Sequence, residues 1–165
     1  MNITIRPFEK SDILSLITIW NKIVESGNAF PQEDYLNEKT GLDFFSSQTL
    51  TAAAFINNEI SGLYILHPNN VGRCSHIANA SYAVKSECRG MGVGEALVKH
   101  SLLEAKKNSF RILQFNAVVA SNLSALRLYK KLGFIQLGTI PGGFRMSNGE
   151  YADIIPHYID LTLIQ

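Results

Sequence analysis

Three alternating glycines, Gly90, Gly92 and Gly94, sit where an apolar strand must hand over to a helix. The stretch reads Ala80-Ser-Tyr-Ala-Val-Lys-Ser-Glu-Cys-Arg-Gly-Met-Gly-Val-Gly-Glu-Ala-Leu-Val98. Glycine lets the backbone approach a ligand with no Cβ in the way. The first turn of a helix adds unpaired N–H groups and the positive end of its dipole. Together they predict an anion site, most naturally for phosphates, and Arg89 adds a charge beside it. On spacing alone the alternative is a turn that only lets two elements pack closely.

Two phosphate ligands are excluded by spacing. A dinucleotide fold needs Gly-x-Gly-x-x-Gly in its first strand–helix unit. Here Glu95 stands at the third glycine position after Gly90-x-Gly92, and Leu97 after Gly92-x-Gly94. The unit also follows three other expected strands. A nucleoside-triphosphate loop must end in Gly-Lys-Ser or Gly-Lys-Thr, and the chain contains neither.

Charge narrows the partners further. The net charge is +1 over 165 residues, so nothing electrostatic favours nucleic acid, and phosphate binding has to be local. With 46% hydrophobic and 18% charged residues, one folded domain over residues 1–165 is expected. Cys74 and Cys88 are too few for a disulfide framework or a zinc site, so no metal is expected. Residues 1–7 interrupt each apolar pair with polar groups, unlike a signal peptide, and no later run is long and apolar enough to cross a bilayer. A cytoplasmic protein with no membrane partner is the expectation.

Periodicity orders the remainder. Ile3 and Ile5 alternate with polar neighbours in a strand stopped at Pro7. Ser11 or Asp12 caps a helix carrying Ile13, Leu14, Leu16, Ile17, Trp20, Ile23 and Val24, and Gly27 ends it. Residues 28–48 are irregular and aromatic-bearing, with one short helix expected over 41–46. Those aromatics either pack as a lid or line a substrate pocket. Strands over 49–56 and 60–66 flank Asn57-Asn58, which predicts a hairpin. A strand over 77–84 and the helix from Gly92 to Lys107 follow, then a strand over 112–119, parallel to the one before. Ser121 or Asn122 caps another helix that stops at Gly133. Strands over 134–140 and 151–163 close the chain, joined by a glycine-rich connection over 141–149. The order predicts an α/β fold with a mixed sheet of about seven strands.

A second motif lies behind the glycines. Between Val119 and Phe134 the residues Asn122, Ala125, Tyr129, Gly133 and Phe134 fit Asn-x-x-Ala-x-x-x-Tyr-x-x-x-Gly-Phe. With Arg-Gly-x-Gly-x-Gly opening a helix after a strand that ends in Val84, the chain resembles the GCN5-related N-acetyltransferases over nearly its whole length. The resemblance implies a mixed, mostly antiparallel seven-stranded sheet, helices on both faces, splayed between strands 4 and 5. It implies acetyl-CoA as donor and a small-molecule amine as acceptor. The backbone of Arg89, Gly90, Met91, Gly92, Val93, Gly94 and Glu95 would hold the pyrophosphate. Tyr82, Ala83 and Val84 would pair with the pantetheine arm like an added strand, and Asn122, Ser124 and Tyr129 would contact it. An N–H near Val84 would donate to the thioester carbonyl. Tyr129 is the candidate acid for the departing thiolate, against the alternative that it only packs on its helix. Dimers are common in the family, so a homodimer is a candidate assembly.

The acceptor side is less legible. Many members carry a Glu five positions before the motif asparagine, where this chain has Ala117. Either a water chain carries the acceptor's proton away, or the base comes from elsewhere, with His76, Glu33 and Asp34 as candidates. Asn79 and Asn116 interrupt apolar strands, where an unpartnered amide is costly. Residues 66–82 resemble the subgroup with yeast acetyltransferases acting on azetidine-2-carboxylate and proline-related imino acids, as does Phe115-Asn116. That resemblance implies substrate-side roles for Asn79 and Asn116, and an amino or imino acid as acceptor. Arg73 could clamp a substrate carboxylate or tie down its own loop. A catalytically silent acyl-CoA-binding module and a protein N-terminal acetyltransferase of the ribosomal-protein type are the alternatives.

Overall fold

The computed structural model describes residues 2–164; Met1 and Gln165, the two ends of the expected domain, lie outside them. Strand β1 (Ile3–Pro7) leads through a 3-10 turn into α1 (Ile13–Ser26), and α2 (Glu38–Ser46) follows. Strands β2 (Leu50–Ile56), β3 (Glu59–Pro68) and β4 (Ile77–Val84) come next. Helix α3 (Val93–Lys107) crosses from β4 to its parallel neighbour β5 (Ile112–Phe115), and α4 (Leu123–Lys131) follows. The chain closes with β6 (Ile135–Gln136), β7 (Ile140–Arg145), β8 (Tyr151–Ile154) and β9 (His157–Asp160).

Seven strands form one mixed sheet in the order β1-β2-β3-β4-β5-β9-β6, while β7 and β8 pair separately. All neighbours in the large sheet are antiparallel except β4 and β5. Asn57 and Asn58 adopt φ of 50° and 65°, the left-handed pair that a two-residue hairpin between β2 and β3 requires.

The sheet buries both faces. Ala53, Leu63, Ile65 and Ala83 point to α1 and α2, where they meet Leu16, Trp20 and Phe45. Their neighbours Ala52, Ala54, Tyr64, Leu66, Ala78 and Ala80 point to α3, against Val93, Leu97, Val98 and Leu102. The period-two alternation of side chains makes this division. Three of the four phenylalanines and tyrosines of the 28–48 segment pack around Trp20: its ring lies 4.4 Å from Phe30, 5.1 Å from Phe44 and 5.9 Å from Phe45. Packing is therefore their role, and only Tyr35 stands exposed.

Several sequence expectations need correction. Asp12 does not cap α1. Its carboxylate takes the Glu9 N–H at 2.8 Å and the Arg6 guanidinium at 2.7 and 3.1 Å, locking the 3-10 turn ahead of the helix. Helix α2 begins three residues earlier than expected, because Asn37 accepts from the Thr40 N–H and caps it. The strand expected over 112–119 stops at Phe115, where its pairing with β9 ends; Val119 keeps one bridge, to Ile154. The strand expected over 134–140 is interrupted at Gly138, whose φ is 123°. The glycine-rich connection contains a strand: β7 pairs with β8 across an irregularity between Ile140 and Phe144, where Pro141-Gly142-Gly143 cannot keep regular register. Pro156 divides the last expected strand into β8 and β9.

Candidate active site

The site starts where β4 and β5 part. These two strands pair at only two positions, Ile77 with Ile112 and Ala78 with Leu113, and then diverge. Beyond that fork the β4 edge facing β5 has no strand partner among the described residues. Which groups it presents follows from one bond, the Lys85 N–H donating to Ser61 O at 2.9 Å. In an antiparallel ladder, residues that bond to the partner strand alternate with residues that face away. Lys85, Ala83 and Ser81 therefore bond to β3, and Ala80, Tyr82 and Val84 turn their N–H and C=O groups into the fork. Ala83 offers the fork nothing: its amide and carbonyl belong to β3, and its methyl is buried against the α1 side.

The glycines stand at the head of this edge. Gly90 and Gly92 adopt φ of 78° and 84°, left-handed conformations strained for any residue with a Cβ. Gly92 caps α3, and its carbonyl takes the first helical amide, that of Ala96, at 3.0 Å. The amides of Val93, Gly94 and Glu95 precede it and lie outside the intrahelical ladder. Arg89 and Met91, also expected to bind through their backbone, differ: their N–H groups are spent on Ser86 O and Cys88 O, each at 3.3 Å. Glu95 is held by Lys131 at 2.6 Å and by Lys99 at 2.8 Å. Those two cations depress its carboxyl to about 2.

Helix α4 supplies the opposite wall. Asn122 accepts from the Ala125 N–H at 3.2 Å and from the Ser124 hydroxyl at 3.0 Å, so it caps the helix. Tyr129 packs its ring 4.5 Å from Phe115, 5.3 Å from Phe134 and 5.7 Å from His157. Burial pushes its phenol well above the ordinary value, so the hydroxyl stays protonated. Tyr82 is held differently: its hydroxyl lies 2.6 Å from Ser101 Oγ, which itself donates to Val98 O. Tyr82 is therefore the donor of that pair.

A cleft of about 650 Å³ joins these parts. Tyr82, Val84, Arg89, Gly90, Gly92, Val93, Gly94, Glu95, Asn122, Ser124 and Tyr129 all line it, whereas Ala83 and Met91 do not. Sequence reasoning missed Ile23 and Ser26 of α1 and Met146 beyond β7, which also line it. No local motif marks them; the fold brings them there. Because residues of α1 and of α4 both line it, the cleft has walls from both faces of the sheet.

Asn79 and Asn116 lie outside that lining. The structure joins them through Asn69, which sequence reasoning did not single out as a site residue. Asn69 Oδ1 accepts from Asn116 Nδ2 at 2.7 Å and from Asn79 Nδ2 at 3.3 Å, and Asn69 Nδ2 donates to Asn116 Oδ1 at 3.1 Å. Asn79 stands three residues from Tyr82, about 10 Å along the strand. Of the candidate bases, Glu33 is engaged with Arg145, and Asp34 is exposed. His76 gives its carbonyl to the start of β5. Ala117 packs beside Val119, Phe144 and Ile154. Among the described residues no group of three or more His, Cys, Asp or Glu could hold a metal, and no helix is long and apolar enough to cross a membrane.

A forked sheet with a free backbone edge, an amide cradle at a helix start and a tyrosine on the facing helix defines an acyl-CoA-dependent transferase. Comparison with known proteins agrees: the profile of the acetyltransferase (GNAT) family matches residues 15–134, and the chain belongs to that family. It is an acetyl-CoA-dependent N-acyltransferase. The N-acetyltransferase aca1 of Schizosaccharomyces pombe is 29% identical over 163 residues, covering 87% of this chain and 78% of that protein. The L-amino acid N-acetyltransferase AaaT of Escherichia coli is 31% identical over 101 residues, 61% of each chain. A GCN5-related N-acetyltransferase from Kribbella flavida superposes with a TM-score of 0.88 at 28% identity, over 96% of this chain and 97% of that one. A Sinorhizobium meliloti phosphinothricin acetyltransferase solved with acetyl-CoA shares the fold, with a TM-score of 0.89 at 20% identity over 97% and 89% of the two chains.

Proposed function

We propose that this chain, as one domain over residues 1–165, transfers acetyl groups from acetyl-CoA to the amine of a small amino or imino acid. The observation that carries the reading is the fork between β4 and β5, with a donor cleft at its head and an amide cluster near its base. The likeness to an L-amino acid N-acetyltransferase supports the same acceptor class.

The chain's groups fit the donor. The free amides of Val93, Gly94 and Glu95, with the left-handed backbone at Gly90 and Gly92, suit a pyrophosphate. The outward groups of Tyr82 and Val84 suit the amides of an extended arm, which would add to β4 as a strand does. When bound, the thioester supplies an activated acetyl group. With the Val84 groups pairing with the arm as it enters from the cradle, the Tyr82 N–H, next along the edge toward Asn79, would donate to the thioester carbonyl oxygen as negative charge gathers there. The Tyr129 hydroxyl, kept protonated by burial, would give its proton to the departing sulfur. Asn79 and Asn116 would hold the acceptor.

No carboxylate stands at the family's fifth-strand position, which Ala117 occupies, so the acceptor ammonium would lose its proton to solvent. The same observation favours a second reading, a silent acyl-CoA-binding module. Thiol release from acetyl-CoA, measured against amino acids, imino acids, polyamines and ribosomal-protein N-terminal peptides, separates these readings. Turnover confined to free amino or imino acids supports the proposal. Tight CoA binding with no turnover favours the silent module, and turnover of peptides alone overturns the small-acceptor assignment.

A further inference from the structure

Asn69 lies outside the donor cleft and is the hub of three side-chain hydrogen bonds. Its backbone N–H donates to Ile77 O at 2.7 Å, which pins it to the last rung of the β3–β4 ladder. From there its side chain reaches both arms of the fork, Asn79 on β4 and Asn116 just past β5. Asn79 and Asn116 lie on the α1 face of the sheet: Asn79 is in phase with Ala83, and Asn116 is out of phase with Phe115.

The bonds also fix which end of each amide is free. Asn79 spends an Nδ2 hydrogen on Asn69, and among the described residues its Oδ1 accepts nothing. Asn116 Oδ1 is occupied by Asn69 and by Gln114 Nε2 at 3.1 Å, and one hydrogen of its Nδ2 is spent on Asn69. The pair therefore presents a carbonyl oxygen from Asn79 and an N–H from Asn116. An oxygen acceptor suits an ammonium or amine N–H, and an amide N–H suits a carboxylate.

We propose that Asn69 is a positioning residue for acceptor recognition: it orients Asn79 and Asn116 so that together they match the ammonium and carboxylate of an amino or imino acid. This rests on the acceptor reading given above. Without Asn69 the Asn79 amide is free to rotate, and Asn116 keeps only its bond from Gln114.

The test is steady-state kinetics with azetidine-2-carboxylate, phosphinothricin and L-methionine as separate acceptors, on variants Asn69→Ala, Asn69→Asp, Asn79→Ala, Asn116→Ala and, as control, Asn70→Ala. Asn69→Ala should raise the acceptor KM about tenfold, leaving the acetyl-CoA KM within about twofold. Asn69→Asp keeps the shared acceptor oxygen and should preserve the Asn79 side-chain amide signal in a nitrogen-15 spectrum, which Asn69→Ala should shift. Asn70→Ala should change neither. If Asn79→Ala and Asn116→Ala raise the acceptor KM while Asn69→Ala does not, the positioning role is overturned and the acceptor site stands. If none of the three changes it, or no acceptor turns over, the acceptor reading falls and takes this proposal with it.

Discussion

The Lys85 amide donates to the Ser61 carbonyl at 2.9 Å, and this bond sets the phase of the whole β3–β4 ladder. Because of it, Tyr82 and Val84 face the fork and Ala83 does not. A one-residue slip would exchange those roles and close the edge against β3.

The three glycines should respond differently to substitution. Gly92→Ala forces a Cβ into φ of 84°, which costs about 1–2 kcal/mol of stability. Gly94 has no such strain, and a Cβ there meets only ordinary contacts at 3.9 Å, from Leu128 and Val84. Gly94→Ala replaces a helical glycine without strain, so it should hold or slightly raise the melting temperature and weaken acetyl-CoA binding only through its place in the cradle. Thermal melts paired with calorimetric titration of acetyl-CoA check both. Unaltered CoA affinity in both variants would contradict the placement of the pyrophosphate.

Tyr129→Phe should lower kcat by about ten- to a hundredfold with little change in the acetyl-CoA KM. Burial raises the Tyr129 phenol, so the acid form persists as pH climbs past its ordinary value of 10.0. The unaltered protein should then show no loss of kcat below that pH. A falling limb that disappears in Tyr129→Phe would contradict a raised phenol.

The acceptor's own ionisation should set the alkaline rise. With Ala117 in place of a carboxylate, kcat/KM should climb with unit slope in pH toward the free amine's pKa. A plateau starting well below it, abolished by substituting one acid of the chain, would reveal a base.

Glu95 links the start of α3 to the end of α4 through Lys131. Its carboxyl is depressed to about 2 from 4.5, so its contribution to stability is fully present above about pH 4.5 and is lost as pH falls through about 2. Glu95→Gln should melt below the unaltered protein at neutral pH, and the gap should close toward pH 2. Added salt should shrink it at neutral pH, since both partners face water. A gap that salt leaves untouched would point to packing instead of charge.

Local chemistry carried much of this into the sequence. Strand β4 shows its apolar run and its stop before Lys85, and α3 shows both its glycine start and its lysine end. Asn57-Asn58 announces a hairpin because few residue pairs tolerate two positive φ values. The fold's end was less legible: β7 contains Pro141-Gly142-Gly143, which argue against a strand and stay out of register, while Phe144 pairs with Ala152 and Arg145 with Tyr151. Within the site, the glycines and the Asn122–Tyr129 spacing are local and readable. Asn69 is not, because its meaning depends on Asn116, 47 positions away. Met146 and Ile23 reach the cleft by tertiary packing alone.

The proposed donor site lies along the free edge of β4. Residue-resolved amide hydrogen exchange with and without CoA tests that most directly. Bound CoA should slow exchange at Val84 and Tyr82 and at the start of α3, at Val93, Gly94 and Glu95, with Ala83 little changed because its amide is already bonded to β3. Slowing at the glycines with no change at Tyr82 and Val84, or slowing confined to Ala83, would contradict it.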